Sequence, residues 1–383
     1  MERLDVRTVN PSIQRGSTYL YDSIDHLREA KAKAVDLGIA SYGIGGGDIT
    51  LHFQDAFCAI ENGFRGVAVN SGLLACTLPL MALLQHGDHL LMVDSVYGPV
   101  RTFCDGYLPR MGVSVTYYDP LATLDELDAL TTDTTRVVYL ETPGSLTFEM
   151  QDIPAIAAWA QDRGIRTIID NTWATGLYFK PLDHGIDIST HAATKYMCGH
   201  SDVISGAIVC NKETALAVEA TRDQLGLAMP PDEAYLGLRG LRTMAVRLPV
   251  HWQNGLKLAS YLAGREEVSN VLHPAMEQDP GYAIWSRDFT GASGLFSVVM
   301  RSDLSWEQLN VFLGALKLYG LGYSWGGFES LCVLQSPKTV RTGSQWPRPG
   351  IGAGYVLRFH AGLEDADDLI DDVEQAFTAM KKA

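Results

Sequence analysis

Short apolar runs recur at residues 67–69, 89–93, 113–117, 136–140, 166–170, 186–190 and 204–209. Between them lie longer stretches in which apolar residues return every third or fourth position. A brief apolar run bounded by turn residues reads as a buried strand, and the three-to-four spacing reads as a helix packed over it. Seven strands alternating with helices predict an α/β domain over residues 51–240, built on a mostly parallel seven-stranded sheet. Beyond Gly240 the pattern changes. A long helical stretch through Leu258 and Leu262 leads into alternating segments at 294–300 and 355–360, which predict a smaller α+β domain over 241–383. Residues 1–50 are punctuated by Asn10-Pro11, Gly16 and the glycine cluster of 43–47, and read as an irregular arm that buries little of itself.

Two polar residues stand where strands end. Asp170 closes the run Arg-Thr-Ile-Ile-Asp, and Lys195 closes His191-Ala192-Ala193-Thr194-Lys195, just after the next strand. Open α/β sheets bind ligands at the carboxyl ends of their strands. A lysine amine facing a carboxylate there matches the needs of pyridoxal phosphate: the amine forms a Schiff base, and the carboxylate keeps the pyridine nitrogen protonated. A surface lysine and a helix-capping aspartate are the plain reading of each residue alone. The stretch Val69-Asn70-Ser71-Gly72-Leu73 adds a strand end running into an amphipathic helix, whose first amides and dipole favour an anion.

Composition narrows the class. Over 383 residues, 46% are hydrophobic and 20% charged, and the net charge of −15 opposes binding to nucleic acid. The six cysteines lack the spacing of a zinc site or redox pair and read as reduced core thiols. The ten histidines are dispersed and read mostly as solvated or supporting residues. The amino terminus has no apolar signal core and no run reaches the length of a membrane span, so a cytoplasmic protein is expected. Gly43-Ile44-Gly45-Gly46-Gly47-Asp48 follows no strand and so makes a poor dinucleotide loop, and Ser71 lacks the frame of a nucleophile elbow.

The segments Asp170-Asn171-Thr172-Trp173-Ala174, Ala193-Thr194-Lys195-Tyr196, Gly199-His200-Ser201-Asp202 and Tyr323-Ser324-Trp325-Gly326-Gly327-Phe328-Glu329-Ser330-Leu331 together carry a resemblance. From about Tyr42 to Asp371 the chain resembles the pyridoxal-phosphate enzymes of cysteine and methionine metabolism, and within them the bacterial cystathionine β-lyases. The resemblance implies an aminotransferase-like fold type I enzyme that uses pyridoxal 5'-phosphate. It implies a homotetramer, a dimer of dimers with shared active sites, in which the arm reaches a neighbouring subunit.

The resemblance also assigns roles. Lys195 is the cofactor lysine and general base, and Asp170 the partner of the ring nitrogen. Gly72 and Leu73 hold the phosphate through their amides, with Thr194 adding a hydroxyl. Tyr97 stacks on the ring with its phenol near the reacting carbons. Tyr42 is a proton-relay phenol from the adjacent subunit, and Tyr323, Ser324 and Trp325 line the substrate. Arg358 lies in an alternating strand among apolar inward residues, a costly place without an anion, and the resemblance makes it the clamp on the substrate carboxylate. The implied reaction is β-elimination from cystathionine or a related cysteine thioether. A γ-lyase acting on a longer amino acid and a non-catalytic regulatory relative are the alternatives.

Two positions depart from the pattern. The family's Tyr-x-Arg appears as Tyr42-Gly43-Ile44, and the frequent phosphate-binding serine three residues before the lysine is Ala192. Both remove phosphate partners, so weaker cofactor binding is expected.

Overall fold

A computed structural model describes residues 8–37 and 42–382. The stretch 1–7 that was read for a secretion signal lies outside them. Seven strands form one sheet: β1 (Arg65–Val69), β2 (His89–Val93), β3 (Ser114–Tyr118), β4 (Thr135–Glu141), β5 (Arg166–Asp170), β6 (Ile188–His191) and β7 (Gly206–Cys210). Their order is β1-β7-β6-β5-β4-β2-β3, with β7 antiparallel to both neighbours and every other pair parallel. Helices cover both faces, so β2, β6 and β7 are buried at every position, which explains why β2 and β7 read as nearly continuous apolar runs, while β6 buries Ser189, Thr190 and His191 as well. The last strand starts at Gly206 rather than 204 because the Ser205 amide is committed to the Thr194 hydroxyl at 2.9 Å. The helix Gly72–Leu83 departs from its amphipathic expectation: only Leu73 is exposed and the rest packs into the sheet core.

β8 (Val268–Leu272), β9 (Leu295–Met300), β10 (Leu331–Gln335) and β11 (Val356–His360) build a second, wholly antiparallel sheet in the order β10-β11-β9-β8. Leu357 and Phe359 point one way along β11, into a core with Leu309, Phe312 and Phe377 from the covering helices. Val356, Arg358 and His360 point the other way, so the companions of Arg358 include a histidine rather than apolar residues alone.

The helix Pro231–Ala263, about 50 Å long, joins the two halves across position 240 without a break. Leu238, Leu241 and Met244 belong to a core of the large sheet, whereas Leu258, Ala259 and Leu262 belong to that of the small one. Among the described residues no helix is long and apolar enough to cross a membrane.

The amino-terminal segment is less irregular than its glycines imply. Ser23 caps a helix over Ile24–Leu37, accepting the His26 amide at 3.1 Å, and the alanine and lysine content of that stretch favours it. Before it, Arg15 pairs with Asp232 and Arg242 reaches Asn10, which lays the segment along the long helix. Val9 and Leu20 remain almost fully exposed.

Candidate active site

The carboxyl ends of β4, β5 and β6 place Glu141, Asp170 and the turn after His191 side by side, with Glu141 in register with Asp170. Lys195 lies in that turn. Its amide donates to Ala192 O at 2.9 Å, its carbonyl accepts the Gly199 amide at 2.7 Å, and Arg247 donates to the next carbonyl, Tyr196 O, at 2.9 Å. This fixed backbone leaves the amine as the mobile part. The amine donates to Ser324 Oγ at 2.5 Å and sits 5.3 Å from the Trp325 ring. Its pKa is pushed down to about 8, first by burial and then by the cation of Arg358, with Asp170 pulling the other way. A lysine poised there exposes a neutral, nucleophilic amine near neutral pH.

Ser324 links the lysine to the arginine. Its carbonyl accepts from Arg358 at 3.1 Å while its hydroxyl accepts from Lys195. It holds a positive φ of 80°, a conformation costing about 1–3 kcal/mol in a non-glycine residue, and the surrounding contacts maintain it. Gly326, also at positive φ, packs so closely on Lys195 that a Cβ would lie 2.9 Å from the lysine carbonyl carbon. The Gly326 amide donates to His360 Nε2 at 3.1 Å. Burial holds His360 well below the usual histidine range, so it stays a neutral acceptor. Arg358 is itself pushed down to about 10 by burial, yet remains cationic at neutral pH.

Asp170 is buried and divides its oxygens between two tasks. Oδ1 accepts the amide and hydroxyl of Thr172, whereas Oδ2 receives only the weak thiol donor of Cys76 at 3.4 Å and is free to take a stronger one. Burial, with Asp170 adding to it, raises Cys76 far above the usual thiol range and keeps its proton in place. Burial, followed by Asp170, also raises Glu141 well above the carboxylate range. Glu141 accepts the Tyr97 amide at 2.7 Å and so fixes the start of the helix that carries that ring. Neither Glu141 nor Cys76 is singled out by the sequence: the first lies just past the predicted strand over 136–140 and the second reads as a core thiol. All six cysteines are buried, and burial raises each thiol.

Tyr97 is 43% exposed, and its phenol is pushed upward by burial, then by Cys76 and Asp170. Gly72 and Leu73 open their helix with amides that have no intrahelical acceptor, while Ser71 caps Leu74 at 3.2 Å. A Cβ on Gly72 would collide with Ala192, which explains the small residues at both positions. Thr194 spends its hydroxyl on Ser205, donating to the carbonyl at 3.0 Å and accepting from the amide. Tyr323 is 83% exposed at the rim. Tyr42 is exposed at the head of the turn Gly43–Gly45, and Ile44 packs near Gly226, on the flank of its own chain.

The donor set fits pyridoxal phosphate: a low-pKa amine for the aldehyde, a buried carboxylate oxygen for the ring nitrogen, an exposed aromatic face, and helix-start amides for an anion. The chain is 44% identical to a putative cystathionine beta-lyase of Rhizobium johnstonii, over 97% of this chain and 91% of the relative. It is 40% identical to cystathionine beta-lyase MetC of Escherichia coli, over 97% and 94%. A solved cystathionine gamma synthase from Xanthomonas oryzae pv. oryzae superposes with a TM-score of 0.88 at 29% identity, covering 98% of this chain and 94% of that one. Residues 2–378 match the model of the Cys/Met metabolism PLP-dependent enzymes, and with this site between its two sheets the chain belongs to that family.

Proposed function

We propose that the chain is a pyridoxal-phosphate-dependent carbon–sulfur β-lyase acting on cystathionine or a related cysteine thioether. With water the reaction yields a thiol, pyruvate and ammonia. The observation that carries this reading is the Lys195–Ser324–Arg358 chain of contacts, which sets a proton-accepting amine beside a cation suited to an α-carboxylate. Arg358 binds the carboxylate with its planar fork and so orients the α-proton toward Lys195, which removes it as general base. Asp170 Oδ2 would accept from the ring nitrogen, and Tyr97 would cover the ring face and exclude water. Gly72 and Leu73 would hold the phosphate through their amides, with Thr194 adding its hydroxyl by giving up the Ser205 carbonyl, and Tyr323, Ser324 and Trp325 line the substrate. The cofactor, when bound, supplies the electron sink for the charge left on the α-carbon.

β-Loss is preferred over γ-loss because Trp325 closes the lysine side and because the relatives at 40% and 44% identity are named β-lyases. With cystathionine, the keto-acid product should be pyruvate, released with equimolar ammonia. A 2-oxobutyrate product would replace this reading with γ-elimination. Arg358→Lys keeps the charge but loses the fork, and should lower kcat/KM by about 1.5–3 kcal/mol, chiefly through KM. An unchanged kcat/KM would reduce Arg358 to a structural residue.

The assembly is read as a cytoplasmic homotetramer, in which Tyr42 of one subunit serves the site of another. Ile44 then stands where a guanidinium would reach the phosphate. Ile44→Arg should tighten cofactor binding when cofactor-free enzyme is titrated, by roughly the 1.5–3 kcal/mol of a charged hydrogen bond. Unchanged affinity would keep the arm on its own subunit.

A further inference from the structure

The connection from β10 to β11 leaves the small sheet and straps the large domain before returning as the strand that carries Arg358. At its first anchor, Asp94 accepts the Thr342 amide at 3.1 Å and the Ser344 hydroxyl at 2.6 Å, and pairs with Arg101, which itself donates to Thr342. At its second, Arg341 grips both oxygens of Glu149, at 2.8 and 3.0 Å, while Arg348 bridges Glu149 and Asp119. The strap presses so closely that a Cβ on Gly343 would strike the Tyr117 carbonyl. It rejoins the small sheet where Asn270 holds Gly350 O and the Gly352 amide.

Both anchors lead to Tyr97. Asp94 begins the turn that ends in Tyr97, and Glu149 ends the loop whose Glu141 holds the Tyr97 amide and whose Ser145 amide donates to Ser95 O at 2.9 Å. The Arg341–Glu149 and Arg101–Asp94 pairs are nearly inaccessible to solvent. Buried ion pairs lose in desolvation much of what they gain in attraction, and apolar residues of similar size serve stability as well or better. What such a network supplies is fixed geometry. Burial alone would raise Glu149 and Asp94, yet Arg341 and Arg348 on the first, and Ser344, the strap amides and Arg101 on the second, hold both below the usual range.

We propose that Asp94, Arg341 and Ser344 are positioning residues that set the Tyr97 ring against the Arg358 guanidinium, so that cofactor face and substrate carboxylate keep one separation. This rests on the roles given above to Tyr97 and Arg358. In the holoenzyme, Ser344→Ala and Arg341→Met should alter the visible circular dichroism of the bound cofactor and raise KM for cystathionine about tenfold, since small misplacements near the reacting atoms are costly. Ser344→Thr should restore both. In a Tyr97→Ala background the dichroism change from Ser344→Ala should vanish, because the two sites act as one unit. A lowered unfolding midpoint with unchanged dichroism and KM overturns the proposal. If Arg341→Met does not fold, Ser344→Ala, which removes one hydroxyl, decides alone. Should Tyr97→Ala itself leave the dichroism unchanged, the role of Tyr97 fails, and the inference with it. Should Tyr97→Ala change the signal while the strap variants do not, only the inference fails.

Discussion

Lys195→Ala should remove nearly all turnover and the borohydride-reducible link to the cofactor together, because one amine serves as covalent anchor and as proton-transfer base. Loss of a positioned base alone slows such steps by about 10²–10⁴-fold, and loss of the anchor adds to that. The environment of the amine makes the prediction more specific. With its pKa near 8, Lys195 in cofactor-free enzyme should capture pyridoxal phosphate faster as pH rises toward 8, since only the neutral amine attacks, and level off above it. An ordinary exposed lysine would keep gaining rate to about pH 10.4. Near-normal steady-state turnover by Lys195→Ala would remove the lysine from the chemistry.

Asp170→Asn ranks second in expected effect. The amide can still accept at one oxygen, and Thr172 can keep that side chain oriented through its hydroxyl. What disappears is the negative charge that stabilises a protonated ring nitrogen while the α-carbon gives up its proton. Electrostatic stabilisation of this kind contributes about 10²–10³-fold when one preorganised group is lost. The variant should therefore bind cofactor nearly as well as the parent, yet exchange the substrate α-proton with deuterated solvent about 10²-fold more slowly or worse. Equal exchange rates at saturating cofactor would contradict the assignment.

The residues carrying these predictions were legible because they interrupt a strong pattern. Asp170 and Lys195 are polar positions at the ends of buried strands, and Arg358 is a charge in an otherwise alternating strand, so each demands a partner. Gly72 was legible as the hinge from strand to helix. Other features gave no such signal. The helix over Ile24–Leu37 was masked by the breakers on either side of it, although its own composition favours helix. His251, His273 and His360 are buried, and burial holds all three below the usual histidine range, yet nothing local separates them from solvated histidines. Asp94, Glu149, Arg341 and Arg348 look like ordinary surface charge until the fold brings them together across as many as 250 positions. Glu141 lies just past the predicted strand over 136–140, and only the pairing of β4 with β5 shows that it lies beside Asp170.

The central claim is that the amine of Lys195 holds the cofactor. Native enzyme loaded with pyridoxal phosphate should absorb visible light. After reduction with borohydride and digestion, one peptide should carry the phosphopyridoxyl mass, on Lys195. A label on another lysine, or loaded enzyme with no visible absorption, would contradict the account and point to a non-catalytic relative.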